Sequence, residues 1–246
     1  PVQHHVAHVA SVAAEARLEG PVIGLVYDGF GRGPAGEAWG GELLLLDGPQ
    51  WKRLGHLQEI ALPGGDRAAR EPWRMATAAL HEIGRETDAL ARFGSEPQAA
   101  QVVRLLNSGS TLVGKTSSAG RWFDAAAALA GFTGAQSFEG EAAMRLEAEV
   151  ADLAVPTDGW RVSSDTLKIC DLFRSLTDLI GPSNIAQSFH ATLIAASVAW
   201  VEGAARQSGV KDVVLAGGCF LNRVLAEGIA SGLAANGLRP HLPRAV

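Results

Sequence analysis

Three histidines stand within five residues near the start of the chain, in His4-His5-Val6-Ala7-His8. The apolar residues that follow (Val6, Val9, Ala10, Ala13, Ala14) fall at helical spacing. On such a helix His4 and His8 lie one turn apart on one face, close enough for their imidazoles to share a divalent cation. Two imidazoles leave a coordination sphere incomplete, so a carboxylate has to come from elsewhere. Asp28 is the candidate, because it ends the buried apolar run Val22–Tyr27, where a side chain emerges into a site. The competing reading is a surface helix that is merely rich in histidine. Asp28 and the glycines after it tip the balance toward a metal.

Asp28-Gly29-Phe30-Gly31-Arg32-Gly33 lies between two strand-like segments. A dinucleotide fingerprint needs a helix next, so that reading is excluded. A glycine turn between strands instead resembles the phosphate hairpin of actin-like ATPases, whose backbone N–H groups cradle oxygens; a plain β-turn is the alternative. A second strand, Val210–Leu215, runs into Gly217-Gly218 and then a helix, with Asn222 at the junction. Free N–H groups and the positive end of a helix dipole suit a nucleotide there, and Asn222 is placed to meet a ribose or base. A tight turn that binds nothing is the rival account. Thr116–Asp124 enters a helix through small polar residues. Asp124, one turn in, is set to accept from ribose hydroxyls, while Ser117 or Ser118 caps the helix. Phe138–Ala143 opens another helix with acids in its first turn, where capping is the default. Arg70 and Arg74 flank Trp73 and suit an anionic substrate or a surface ion pair. Cys219 has no base near it in sequence and reads as a small buried apolar group, as Cys170 does.

The elements that must position these residues read as mixed α/β. A helix over His4–Leu18 precedes strands at Val22–Tyr27, Gly41–Leu46 and Arg53–Ala61, a meander. Helices are predicted at Glu71–Glu82, Glu96–Leu106, Arg121–Ala130, Glu139–Ala151, Ser163–Leu179 and Ile185–Gln207. Val210–Leu215, a helix over Arg223–Ala234 and a strand at Arg239–Leu242 follow. Pro156–Trp160 is the best seam, and no linker splits the chain. With 246 residues, 47% apolar and 19% charged, the chain is globular and not disordered. A net charge of −5 gives no bulk attraction to a phosphate backbone, so no direct nucleic-acid partner is expected. Two distant cysteines exclude a disulfide scaffold and a cysteine zinc site and fit a reducing cytosol. The longest apolar stretch, Ala191–Val201, is broken by Glu202 and reads as a buried helix, so no membrane partner is expected either. The chain opens at Pro1 and stops at Val246 after a strand-like segment, which reads as a fragment of a larger protein.

Eight stretches in order, HHVAH (4–8), YDGFGRG (27–33), WGGELLL (39–45), LPGGDRAAREPWRMA (62–76), TSSAGRWFDAAAALAG (116–131), FEGEAAMRLEA (138–148), SFHATLIAA (188–196) and AGGCFLNRVL (216–225), resemble the C-terminal catalytic domain of the HypF family. The resemblance implies an actin-like (sugar-kinase/Hsp70-type) α/β fold and a carbamoyltransferase. It implies that carbamoyl phosphate and ATP become carbamoyl-adenylate elsewhere in the full protein. This domain then passes the carbamoyl group to the C-terminal cysteine thiolate of a partner, HypE, toward the cyanide ligand of [NiFe]-hydrogenase. By motif position His4, His8 and Asp28 match the catalytic metal ligands, with iron, zinc or magnesium all open. Gly217, Gly218 and Asn222 match the nucleotide loop, Asp124 and Gly140 the ribose-facing positions, and Gly29 and Gly31 join them as nucleotide-binding candidates. The family's last metal ligand, in a Gly-Asp-Gly-Gly segment, is expected beyond Val246, and its opening strands before Pro1. The expectation is therefore an actin-like domain incomplete at both ends, with a second half starting near residue 62. An O-carbamoyltransferase acting on a small hydroxyl and a non-catalytic nucleotide-binding scaffold are the rival readings.

Overall fold

A computed structural model describes residues 2–244 of the chain. Helix α1 (His4–Glu15) is capped by Gln3, whose side-chain oxygen accepts from the Val6 N–H at 2.9 Å. Strands β1 (Val22–Arg32), β2 (Ala38–Asp47) and β3 (Gln50–Leu57) form the expected antiparallel meander. A helical block follows, interrupted by short strands: β4 (Ile60–Ala61), α2 (Asp66–Arg70), α3 (Pro72–Glu82), α4 (Glu86–Phe93), α5 (Ala99–Asn107), β5 (Lys115–Thr116), α6 (Ala119–Leu129) and α7 (Glu141–Ala148). The chain continues through β6 (Arg161–Ser163), β7 (Thr166–Lys168), α8 (Leu172–Asp178) and the long α9 (Pro182–Ser208). Then come β8 (Asp212–Ala216), a 3₁₀ turn (Gly218–Leu221), α10 (Arg223–Ala235) and β9 (Arg239–His241).

All described strands belong to one sheet. Its main path runs β6-β7-β3-β2-β1-β8-β9, with β5 pairing β2 and β4 pairing β5. β1 lies between β2, antiparallel, and β8, parallel. Its residues read as a continuous apolar run because both faces are covered. Val22 and Val26 face α1, joined there by Leu44, Leu46 and Val214. Ile23, Leu25 and Tyr27 face the helical side, where α3, α6 and α9 supply the larger core. The run of four alanines in α6 (Ala125–Ala128) is buried among those helices, with no side chain large enough to hold them apart.

Several expectations need correcting. Asp28–Gly33 is not the turn between strands; β1 runs through it to Arg32, and the reversal comes at Gly33–Glu37, closed by the Gly33 N–H donating to the Glu37 carbonyl at 2.8 Å. The helix predicted over Ser163–Leu179 is a β6–β7 hairpin followed by α8 alone. Leu172, Phe173 and Leu176 have helix-like spacing and lie in α8, but Leu167 is buried as a strand residue paired to β3. α4 was not anticipated, because Ala89 and Phe93 are its only buried residues. The seam at Pro156–Trp160 is tied down: the Thr157 N–H donates to Thr192 Oγ1 at 3.0 Å. The division near residue 62 does not part the sheet, since β1 and β8 pair across it. The reading of the two ends as cut rests on Pro1 and Val246, which lie outside the described residues.

Candidate functional site

Pairing of β1 with β2 jumps from Tyr27↔Gly41 to Gly31↔Trp39, so Asp28, Gly29 and Phe30 together face one residue, Gly40. Such a bulge re-aims a side chain out of the sheet plane. Here it turns Asp28 toward α1. Asp28 Oδ2 stands 3.1 Å from His4 Nε2 and 3.3 Å from His8 Nε2, and the two imidazole nitrogens are 3.3 Å apart. The other carboxylate oxygen accepts from the N–H groups of Gly29 (2.9 Å) and Gly218 (3.3 Å). Burial alone would raise the Asp28 pKa, but hydrogen bonds from His8, His4, Gly29 and Gly218 outweigh it and hold it well below the usual carboxylate range. The His8 pKa is raised, first by its hydrogen bond to Asp28.

Ligands bound to one cation at about 2.0–2.2 Å stand roughly 3.0–3.5 Å apart, so these three atoms have the spacing of a metal's coordination face. The half-exposed imidazoles leave that face open to solvent. The Gly29 and Gly218 N–H groups do what outer-shell partners of a metal carboxylate do, fixing its orientation. His4, His8 and Asp28 therefore fit a divalent cation. His5 also brings a ring nitrogen within 4.8 Å of the His4 and Asp28 donors. Its ring is wholly buried beside Trp39, with Nδ1 held 3.0 Å from Gln3, and burial lowers its pKa to about 4. Gly31 makes room for this packing, because a Cβ there would strike His5 and His4.

Beside Asp28 opens a cavity of about 480 Å³. Gly29 flanks it, α6 contributes Arg121 and Asp124, α7 contributes Met144 and Glu147, Glu139 and Gly140 come from the segment before α7, and the 3₁₀ turn supplies Gly218 and Cys219. Asp124 is buried, and its Oδ1 accepts from Gln136 Nε2 at 3.1 Å. Arg121 Nε lies 2.9 Å from Oδ2 but off the hydrogen-bonding axis, so both atoms lack a hydrogen-bond partner among the described residues. Burial pushes the Asp124 pKa up to about 7 against the pull of Arg121 and Gln136. A buried carboxyl with one uncommitted oxygen beside a cavity suits vicinal hydroxyls. Gly140 begins α7 at φ +83°, a conformation few residues but glycine adopt.

Three predicted nucleotide contacts are placed differently. Gly31 and Gly217 do not line the described cavity: Gly31 accommodates the histidines, and Gly217, at φ +98°, lets β8 pass against the Tyr27 backbone. Asn222 lines the wall, but its side chain is committed. Oδ1 caps α10 by accepting from the Leu225 N–H (2.9 Å), and Nδ2 meets His190 Nε2 (2.9 Å). Nor is the start of α10 free for an anion. Glu147 Oε1 already accepts from the Arg223 N–H at 2.7 Å and the Val224 N–H at 3.4 Å. Sequence reasoning missed Glu147, Arg121, Glu139 and Gln136. Arg121 stands three residues before Asp124, a helical i,i+3 spacing that could have flagged it, whereas Glu147 meets Arg223 and Val224 from far along the chain, which no spacing rule reveals. Arg74 is the ion-pair alternative, buried against Glu71 Oε2 (2.5 Å) and over the Trp73 ring (4.6 Å). Cys219 is not the buried apolar group expected: it is half-buried and lines the cavity, and burial pushes its thiol pKa up.

Residues 24–246 match the family described as "Carbamoyltransferase, Kae1-like Domain, second subdomain". The chain is 45% identical over 268 residues to carbamoyltransferase HypF2 of Cupriavidus necator, covering 96% of this chain and 33% of that protein. It is 46% identical over 246 residues to carbamoyltransferase HypF of Rhizobium leguminosarum bv. viciae, covering 99% and 32%. It thus spans about a third of the length of these relatives. The crystal structure of full-length HypF in the phosphate- and nucleotide-bound form superposes with a TM-score of 0.88 at 29% identity, covering 98% of this chain and 33% of that one. The mixed α/β architecture around one sheet is the actin-like fold of that family.

Proposed function

Because this chain belongs to the HypF family of carbamoyltransferases through its Kae1-like domain, we propose that it carries the carbamoyl-transfer step of [NiFe]-hydrogenase maturation. In this reading residues 1–246 are part of one carbamoyltransferase domain. The substrate is carbamoyl-adenylate, made from ATP and carbamoyl phosphate elsewhere in the full-length protein, and the acceptor is the C-terminal cysteine thiolate of HypE. The observation that carries the reading is the double placement of Asp28. It meets both His4 and His8 and also lines the cavity that Asp124 flanks.

The chain's own groups divide the work. Asp124, oriented by Gln136, accepts from the ribose hydroxyls, and Gly140 lets the backbone come close beside it. The nucleotide contacts lie along Gly29 and Gly218, with Asn222 acting as wall. His4, His8 and Asp28 would hold a divalent cation, which when bound would neutralise phosphate charge and polarise the carbamoyl carbonyl. The thiolate sulfur attacks the carbamoyl carbon, the bond from that carbon to the phosphate oxygen breaks, and AMP leaves with the electron pair, so no proton need move. Burial pushes up the thiol pKa of Cys219, the sole thiol among the described cavity residues, and in this reading the acceptor thiolate comes from HypE. No helix among the described residues is long and apolar enough to cross a membrane. With both cysteines free, a reducing cytoplasm is the proposed compartment.

The test is mass spectrometry of a HypE C-terminal peptide incubated with the full-length protein, ATP, carbamoyl phosphate and a divalent metal. Added carbamoyl mass on the cysteine is expected, and its loss in His4→Ala, a half-exposed position whose change spares the fold. A folded His4→Ala protein with normal transfer would overturn the role of the metal site. Nucleotide binding with no transfer to any acceptor would favour a scaffold.

A further inference from the structure

We propose that Glu42 is the positioning residue of the Asp28 site: a buried carboxylate that ties down the strand opposite the β1 bulge and so fixes where Asp28 points. The proposal rests on reading His4, His8 and Asp28 as a ligand set. At the bulge the β1–β2 ladder is broken, and its polar groups turn to other partners. The carbonyls of Asp28 and Gly29 accept from Ser118 Oγ at 2.9 and 2.7 Å. The N–H groups of Gly40 and Gly41 donate to Glu42 Oε1 at 3.1 and 3.3 Å. The same oxygen accepts from Ser117 Oγ at 2.5 Å, and Oε2 accepts from Arg53 Nε at 2.6 Å. Glu42 has no solvent exposure. Every contact of this carboxylate is therefore internal: three are to the segments flanking the bulge, and the fourth is to Arg53 on β3.

Glycine at 40 and 41 is what lets these segments close. A Cβ at Gly40 would lie 2.7 Å from the Asp28 carbonyl oxygen and 2.9 Å from Ser118 Cα, and one at Gly41 would strike the Ser117 carbonyl. Ser117 and Ser118 are adjacent, so the carboxylate that holds the first also sets the second, which grips the backbone of Asp28 and Gly29. Arg53 is braced in turn, its guanidinium 3.9 Å above the Trp39 ring. A buried carboxylate with four donors is costly to place unless fully paired, and a sheet core needs none. At the bulge it supplies acceptors that a regular ladder would have provided.

Co²⁺ serves as the reporter ion, followed by calorimetry and by its visible absorption. Outer-shell partners of metal ligands are typically worth about 10–100-fold in affinity. Glu42→Ala and Ser118→Ala should each weaken Co²⁺ binding by about tenfold or more and alter its absorption. Glu42→Gln, which keeps one acceptor oxygen, should lose less. Leu106→Ala, a core truncation in α5, supplies a comparable stability loss away from the site and should leave Co²⁺ affinity unchanged. If Glu42→Ala fails to fold, Glu42→Gln and Ser118→Ala decide. Unchanged affinity and absorption in both would overturn the proposal, as would an equal loss in Leu106→Ala. If the full-length wild-type protein takes up no Co²⁺, the ligand-set reading falls. The positioning role is then decided by crystal structures of the wild type and Glu42→Gln: a displaced Asp28 carboxylate upholds it, and an unmoved one overturns it.

Discussion

Burial pushes the Asp124 carboxyl up to about 7, ahead of the opposing pull of Arg121 and Gln136. An acid whose folded pKa is raised keeps a proton that the unfolded chain has already released, so its effect is to lower stability as pH rises. The window runs from the unfolded value near 4 up to about 7, and the penalty is complete above it. Asp124→Asn carries no such penalty. Urea midpoints should show the variant gaining on the wild type from about pH 4 to pH 7 and holding that gain to about pH 8. Ligand binding should follow the opposite course, because ribose hydroxyls donate best to the ionised form. AMP affinity of the wild type should rise over the same interval, and that of the variant should stay low and flat. A flat stability difference would mean that Asp124 is already ionised well below neutrality. The sequence identified this residue, but not the pairing with Gln136 and Arg121 that sets its charge.

At the scale of elements, the site depends on how closely α1 lies on the sheet. Gly24 in β1 is the contact that allows it, since a Cβ there would sit 2.9 Å from Val9 Cγ1 and closer still to Cγ2. Overpacking of this kind typically costs about 1–3 kcal/mol. Gly24→Ala should lower the denaturation midpoint accordingly, and by pushing out α1 it should also weaken Zn²⁺ binding at His4 and His8. Adding Val9→Ala should recover much of both, because the colliding methyls are then gone; calorimetric titration and thermal melts measure the two effects. Elements with long apolar periods, such as α6, α9 and the meander, were legible in the sequence. The β6–β7 hairpin was not, since its few residues owe their strand state to pairing with β3 and its turn to Ser164 at φ +58°.

For the molecule as a whole, the cavity is assembled from β1, α6, α7 and the 3₁₀ turn, segments far apart in the chain. A ligand bound there joins them, and it binds the folded state alone. At a hundred times its Kd such a ligand adds about 2.7 kcal/mol of stability. AMP and Zn²⁺ should each raise the melting temperature, and His8→Ala should remove the Zn²⁺ increment while keeping that of AMP, because His8 contacts Asp28 but not the cavity. Loss of both increments would mean that the two sites are one. The sequence by itself determined the residue types and the local frame: two imidazoles one helical turn apart, an acid just after a buried apolar run, glycines at the approaches, and helices and strands whose apolar period shows which face is buried. Only the tertiary structure decided that Asp28 stands on a bulge and not in a turn, that Asn222 and Glu147 close the start of α10, and that Gly31 and Gly217 serve packing. Periodicity reports which way a side chain faces along its own element. The partner of a polar group is chosen across the fold, by which distant donor or acceptor the packing of the core brings within reach.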